Sequence, residues 1–294
     1  MNSTPNKINL NYILSHSDQT KYKIPHCYDR QQWKIGETYR IRVGHIYDPS
    51  KFWIVFKERE LDIFQKFVND FYKKHGGKYK MDLNNMAKNM YCVVYVDKAF
   101  YRGLIANIPD NFTEEKKAYI FLFDYGCVTV TSLDHLYYLY EKLFHIPQFA
   151  VRASLSHVQP YDKTMWKYSV VKRFSELVSA KVLLCVLECT NPNRKIVEIS
   201  IGDVREFSSV IDVGDILISE KLAKSVISRA NHEIKEKIKT RYVPKTKYPH
   251  LFPSFEAIES GMVPPCVHTT ELLWQCIARD VLFRPYFAYN GVEN

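Results

Sequence analysis

The apolar positions along this chain change period several times, and the changes divide it into elements. From Thr38 the pattern is strand-like: Tyr39 to Tyr47 and Phe52 to Phe56 are rich in β-branched and aromatic residues. Between them Asp48-Pro49-Ser50 reads as a turn, because Pro presets φ and Asp bonds its own backbone. The pair predicts a hairpin. Glu58 to His75 then carries Leu61, Phe64, Phe67, Val68, Phe71 and Tyr72 at spacings of three and four, with acids early, Lys73 and Lys74 late and Gly76-Gly77 beyond. That is an amphipathic helix with both ends marked. Its apolar face is too wide for a linker, so it must be buried. Met90 to Val96, Phe100 to Ile108, Ala118 to Asp124 and Cys127 to Ser132 read as short strands, connected through Asp97-Lys98 and the Pro109 to Lys117 segment. Four short strands in succession predict a small barrel.

Beyond the barrel the pattern is mixed. Met165 to Val178 is helical, with Trp166, Val170, Phe174 and Leu177 on one side, and Lys181 to Leu187 and Lys195 to Ile201 are strands around an Asn191-Pro192-Asn193 turn. Asp215 to Val226 predicts another amphipathic helix. Residues 1 to 34 are polar with scattered apolar positions such as Ile8, Leu10 and Ile13, enough for one short docked segment. Ser254 to Ser260 predicts a short helix stopped by Gly261. Thr269 to Phe283 predicts a capped amphipathic helix with Leu272, Leu273, Trp274, Ile277 and Val281 apolar. Docking onto the main body is the default for it, and a partner-binding helix is the competing reading.

With 294 residues and 46% hydrophobic content, the chain can bury a substantial core as one large domain or two smaller ones. No run of eighteen apolar residues and no basic-then-apolar leader at Met1 is present, so neither a membrane span nor a secretory signal is expected. The seven cysteines are odd in number and irregular in spacing, which predicts free thiols in a reducing compartment rather than a disulfide framework. His26-Cys27 and Cys266-x-His268 lack a paired C-x-x-C partner, so no zinc and no other cofactor is expected. The net charge of +9 implies attraction to nucleic acid or an acidic partner, or simply a solvated surface. Between Arg229 and Lys247 seven basic residues (Arg229, Lys235, Lys237, Lys239, Arg241, Lys245, Lys247) stand against two acidic ones, interleaved with Tyr242. That is a candidate phosphate-binding stripe, and equally what an exposed helix and linker look like.

The chemistry-bearing motifs lie in the predicted barrel. Phe123-Asp124-Tyr125-Gly126 follows Phe100-Tyr101-Arg102-Gly103 by about twenty residues. Rings from neighbouring strands can wall a slot whose π faces attract a guanidinium, at roughly 0.5 to 2 kcal/mol per ring. The structural alternative for each ring is cross-strand packing. Phe121 and Phe123 share strand parity and are expected in the core, and Arg102 is expected to pair with Asp124. Together the two motifs resemble the signature strands of the Tudor domain, a peptide reader. The resemblance implies five cage positions: Tyr95, Tyr101, Leu122, Tyr125 and Cys127. Leu122 stands where the family has a ring, and Cys127 where it has an Asn that accepts from the guanidinium. A hydrogen bond to a charged group is worth roughly 1.5 to 3 kcal/mol, so a conventional preference for methylated arginine is not expected.

The element order resembles the extended Tudor domain, in which a Tudor barrel is inserted into a staphylococcal-nuclease-like lobe. The implied fold is mixed β/α: an SH3-like Tudor β-barrel at about 80–147, packed on an OB/nuclease-like lobe of 36–57 plus 148–226, and joined to it by the helix 58–75. Residues 1–34 and 227–294 would be extensions. The resemblance further implies a non-catalytic adaptor of the piRNA pathway in the cytoplasm, at the perinuclear germ granule (nuage). Its partner would be an arginine-containing tail of a Piwi-class Argonaute or another germ-granule protein. The alternative is an RNA-binding module using the basic stripe and the OB-like lobe. A nuclease is suggested by fold analogy alone, and no clustered Asp, Glu and Arg set supports an enzyme.

Overall fold

The computed structural model describes residues 22–109, 117–161, 165–179, 181–203, 211–226 and 253–263. The predicted hairpin is β1 (Thr38–Asp48) and β2 (Lys51–Val55). Its turn forms as the sequence requires, with the Ser50 amide donating to Asp48 Oδ1 at 2.7 Å. After it come α2 (Glu58–His75), then β3 (Tyr91–Val96), β4 (Ala99–Asn107), β5 (Lys117–Leu122) and β6 (Cys127–Ser132). A fifth strand, β7 (Leu136–Tyr138), closes on β3 and gives the sheet order β6-β5-β4-β3-β7. At three residues it was too short to show a period.

The second sheet is assembled from both sides of the first in sequence. β8 (Val151–Leu155), β10 (Val182–Asn191) and β11 (Ile196–Asp203) join the hairpin in the order β10-β1-β2-β8-β11, and β10 also pairs with β11. Five strands therefore close on themselves, which leaves no bare edge. Closure needs one parallel pair, β11 with β8, and α3 (Tyr168–Val178) belongs to the long connection between them. The remaining described elements are α1 (Cys27–Arg30), β9 (Val158–Pro160), β12 (Ile211–Asp212), α4 (Val213–Ser219), β13 (Ala223–Ser225) and α5 (Phe255–Glu259). Asp215 to Val226 thus departs from the single helix expected. Asp212 caps α4 by accepting from Gly214 and Asp215, the helix ends at Ser219, and a turn through Lys221 in the left-handed region starts β13.

Helix α2 fastens the two sheets together. Leu61, Phe64, Val68 and Tyr72 follow one stripe and are buried. Phe64 meets Phe149, while the Tyr72 hydroxyl donates to the Tyr138 carbonyl (2.7 Å) and accepts from the Tyr140 amide (2.9 Å). Phe67 was expected on the same face and is not. It is 47% exposed because it lies off the stripe, stacked on the half-buried Phe71. Phe64→Ala should therefore cost about 3–5 kcal/mol of unfolding free energy, and Phe67→Ser less than about 1 kcal/mol. Urea titration of both variants checks this, and equal losses would mean that the stripe is misassigned.

The five described cysteines, Cys27, Cys92, Cys127, Cys185 and Cys189, are free thiols. No described helix is long and apolar enough to cross a membrane. The basic stripe from Arg229 to Lys247 and the predicted helix from Thr269 to Phe283 lie outside the described residues.

Candidate functional site

The turn between β5 and β6 carries Phe123 to Gly126, and each residue of it has a separate physical task. Phe123 is buried in the core, as is Phe121 before it. Asp124 is buried and receives the Arg102 guanidinium in a bidentate pair, Nε to Oδ2 at 2.9 Å and Nη2 to Oδ1 at 2.7 Å. The other Arg102 donors go to the carbonyls of Leu143, Ile146 and Pro147 at 2.8 to 2.9 Å. Phe64 packs on the guanidinium with its ring centre 4.4 Å away. The Phe149 amide donates to Asp124 Oδ1 (3.2 Å), so the pair ties the barrel to the segment that re-enters the second sheet. The expected pairing of Arg102 with Asp124 is what the structure shows.

Tyr125 is half-buried, and its hydroxyl donates to Gln65 Oε1 on α2 at 2.9 Å. Its carbonyl accepts from the His45 amide (3.2 Å), at an irregularity in β1 where the pairing with β2 shifts between Val43 and Ile46. Burial, followed by the nearby Asp124 and Tyr101, pushes the phenol well above its ordinary pKa, so it stays a neutral donor. Gly126 has φ +81°, and a Cβ there would lie 2.0 Å from Trp53 Cγ. The last residue of the motif is therefore set by contact with the second sheet as well as by the turn.

Tyr101 stands beside Tyr125 with ring centres 5.4 Å apart at 83°, an edge-to-face pair. Burial, followed by Asp97, raises the Tyr101 phenol. Leu122 lies directly opposite Cys127 across β5 and β6, and both pack in the barrel cluster to which Tyr101 also belongs. Leu122 is buried and Cys127 half-buried, and burial pushes the Cys127 thiol up to about 11. At neutral pH it is a small apolar wall and not a thiolate. Arg42 and Asp62 form an ion pair at 2.8 Å nearby, close enough that both act on the Tyr125 phenol.

Tyr101 pairs with Tyr125, and Leu122 and Cys127 pack in the same cluster as Tyr101, while Tyr95 does not join them. The turn after β3 is the two-residue Asp97-Lys98, both with positive φ, so Tyr95 pairs with Phe100 and Val94 with Tyr101. Adjacent strand residues face opposite sides. Tyr95 therefore packs on Phe100 at 4.7 Å and near His135, behind the sheet from Tyr101. Parity across a hairpin depends on its turn, and the sequence did not disclose the turn type.

Residues that the sequence reading missed are on α2. Gln65 holds Tyr125, and Asn69, one turn later, accepts from the Phe100 amide through Oδ1 at 2.8 Å. Their four-residue spacing at the edge of the apolar stripe was the available signal. The short helix α5 also reaches the second sheet. Phe255 packs on Trp53 with ring centres 5.1 Å apart, and Glu259 accepts from Trp53 Nε1 (3.2 Å) and from Arg152 Nε (2.8 Å).

Among the described residues no group of three or more His, Cys, Asp or Glu side chains is placed to hold a metal ion. Residues 34–157 match the family model of the Tudor domain. Mouse RING finger protein 17 is 25% identical over 187 residues, 62% of this chain and 11% of that protein. The match thus spans about a tenth of that curated relative's length. An extended Tudor domain of mouse TDRD1, in complex with a MILI peptide containing dimethylarginine, superposes with a TM-score of 0.58 at 19% identity, over 66% of this chain and 96% of that one. A variant of the Drosophila melanogaster Papi extended Tudor domain, in complex with a Piwi N-terminal peptide, does so with 0.58 at 17%, over 65% and 100%.

Proposed function

We propose that this chain, which carries a Tudor domain within the extended Tudor fold, is a non-catalytic reader of arginine-containing peptides. The observation that carries the reading is the Tyr101–Tyr125 pair: two half-buried rings at 83°, braced from α2 by Gln65 and backed by Leu122 and Cys127. Rings so held offer one face and one edge to a flat cation without further ordering cost. Asp97 beside Tyr101 favours the same sign of ligand. The named binding partners of the two solved relatives support the class of ligand, a Piwi-type tail. We extend the reading to an adaptor role in the piRNA pathway, in cytoplasmic germ granules.

The fine specificity follows from what the groove lacks. With Tyr95 behind the sheet and Leu122 and Cys127 in place of a ring and an amide, two aromatic walls remain, and Gln65 Oε1, the side-chain carbonyl beside Tyr125, is already engaged by that ring's hydroxyl. Binding of symmetrically dimethylated arginine should therefore exceed that of unmethylated arginine by less than about threefold. Titration of the chain with matched peptides checks this. A preference of tenfold or more, about 1.4 kcal/mol, would show that other residues complete the cage. In the same titration Tyr101→Ala should weaken binding at least about fivefold while its melting temperature stays near the native value.

A further inference from the structure

Tyr95 belongs to a concavity on the other side of the sheet from Tyr101. Between the end of α2 and the barrel, a pocket of 470 Å³ is walled by Tyr95, Phe100 and Tyr137 and rimmed by Lys73 and Lys80. Its size is within the range that holds small ligands. Phe100 is fixed at both backbone groups by Asn69 and Gln65, and Tyr137 packs edge-on against it at 5.3 Å. The wall is therefore rigid. Among the described residues the phenols of Tyr95 and Tyr137 make no hydrogen bond and Lys73 makes no ion pair, and no carboxylate lines the pocket. Lys80 Nζ sits 4.6 Å over the Tyr137 ring.

The charge around this pocket has the opposite sign to that beside Tyr101. From Asp70 to Asp82 the chain carries Lys73, Lys74, Lys78 and Lys80 between those two acids. Lys73 and Lys74 also serve the carbonyl end of α2, and Lys80, past that end, is held on the rim by the Asp134 carbonyl and the Tyr137 ring. Two lysines on the rim, with Lys74 and Lys78 close to them in sequence, suit a flexible polyanion whose flat groups reach the rings. A duplex keeps its base faces stacked and does not fit that description.

We propose that this pocket takes a nucleotide of a single-stranded nucleic acid, its base against Tyr95 and Tyr137 and its phosphates on Lys73 and Lys80. The test is fluorescence anisotropy of the whole chain with labelled oligouridylate, oligothymidylate, an RNA duplex and a Glu/Tyr-rich peptide. Both single strands should bind more tightly than the duplex, and the peptide should not displace them. Lys73→Glu with Lys80→Glu should weaken single-strand binding at least about tenfold, and reduce the slope of log affinity against log salt by about 0.7 per lost phosphate contact. Both lysines are exposed, so the melting temperature and arginine-peptide binding should stay native. Tyr137→Leu, which keeps bulk without a full ring, should cost at least about fivefold. Single-strand affinity unchanged in the lysine variant would overturn the proposal, placing any binding elsewhere on the chain. Displacement by the acidic peptide, or duplex binding as tight as single-strand binding, would overturn it too.

Discussion

Arg102→Met should leave the protein largely unfolded at ambient temperature, the largest loss expected of any single substitution in the barrel. The Arg102 side chain has no solvent exposure, and its donors serve both Asp124 oxygens and the carbonyls of Leu143, Ile146 and Pro147. Removing one partner of a buried ion pair costs about 3–5 kcal/mol, because the other charge is left without compensation. Three orphaned carbonyls add to that, each up to about 1–3 kcal/mol. A domain of ordinary stability holds only about 5–15 kcal/mol. Lysine is no substitute, since one ammonium with three donors cannot reach five acceptors in a plane. Removing both charges in Arg102→Met with Asp124→Leu should recover part of the loss, because no lone charge then remains. Thermal melts of the single and double variants decide it, and a single variant melting within a few degrees of the native protein would refute the role given to this pair.

Gly126→Ala should cost about 3 kcal/mol or more and abolish the proposed peptide binding in whatever fraction still folds. Two effects combine there. A side chain at φ +81° is strained by about 1–2 kcal/mol, and the new Cβ would lie 2.0 Å from Trp53 Cγ and 2.4 Å from Trp53 Cβ. The backbone must then lift off β2 and carry Tyr125 with it. The two effects separate in a Trp53→Gly background, where the Cγ and Cβ contacts are both gone and the strain stays. In that background Gly126→Ala should cost only about 1–2 kcal/mol. A full-sized loss there, read by denaturant titration, would show that Trp53 is not what the glycine avoids.

Both variants touch the same signature, and the signature was legible because each of its residues answers a constraint that local sequence expresses. The hairpin, α2 and the four longer barrel strands were readable for the same reason, since their periods and turn residues point to one conformation. The pairing of Arg102 with Asp124 followed from strand proximity. What stayed hidden depended on long-range geometry. Tyr95 was misplaced because its face is decided by a turn whose conformation Asp97 and Lys98 adopt against the usual preference for Gly. Phe67 was misplaced because its position at the margin of the apolar stripe leaves its burial to the neighbours it meets. Gln65 and Asn69 drew no reading, because their partners on β4 and in the β5–β6 turn are fixed only by the fold. The parallel pairing of β11 with β8 closes the second sheet between residues more than forty apart, which no local pattern encodes.

Trp53 bears on where this module can be cut. Its indole is fully buried between Gly126 on one side and Phe255 on the other, and its N–H is spoken for by Glu259. Glu259 and Glu256 also neutralise Arg152, whose side chain is four-fifths covered. A fragment ending at Val226, the boundary expected from the sequence, would lack all three of those covering residues. It would then display an indole edge next to an unpaired guanidinium, a patch that sticks to other proteins and to itself. Pull-down and aggregation results obtained with such a fragment would report on that wound rather than on the ring groove, so the minimal faithful unit extends at least through Gly261.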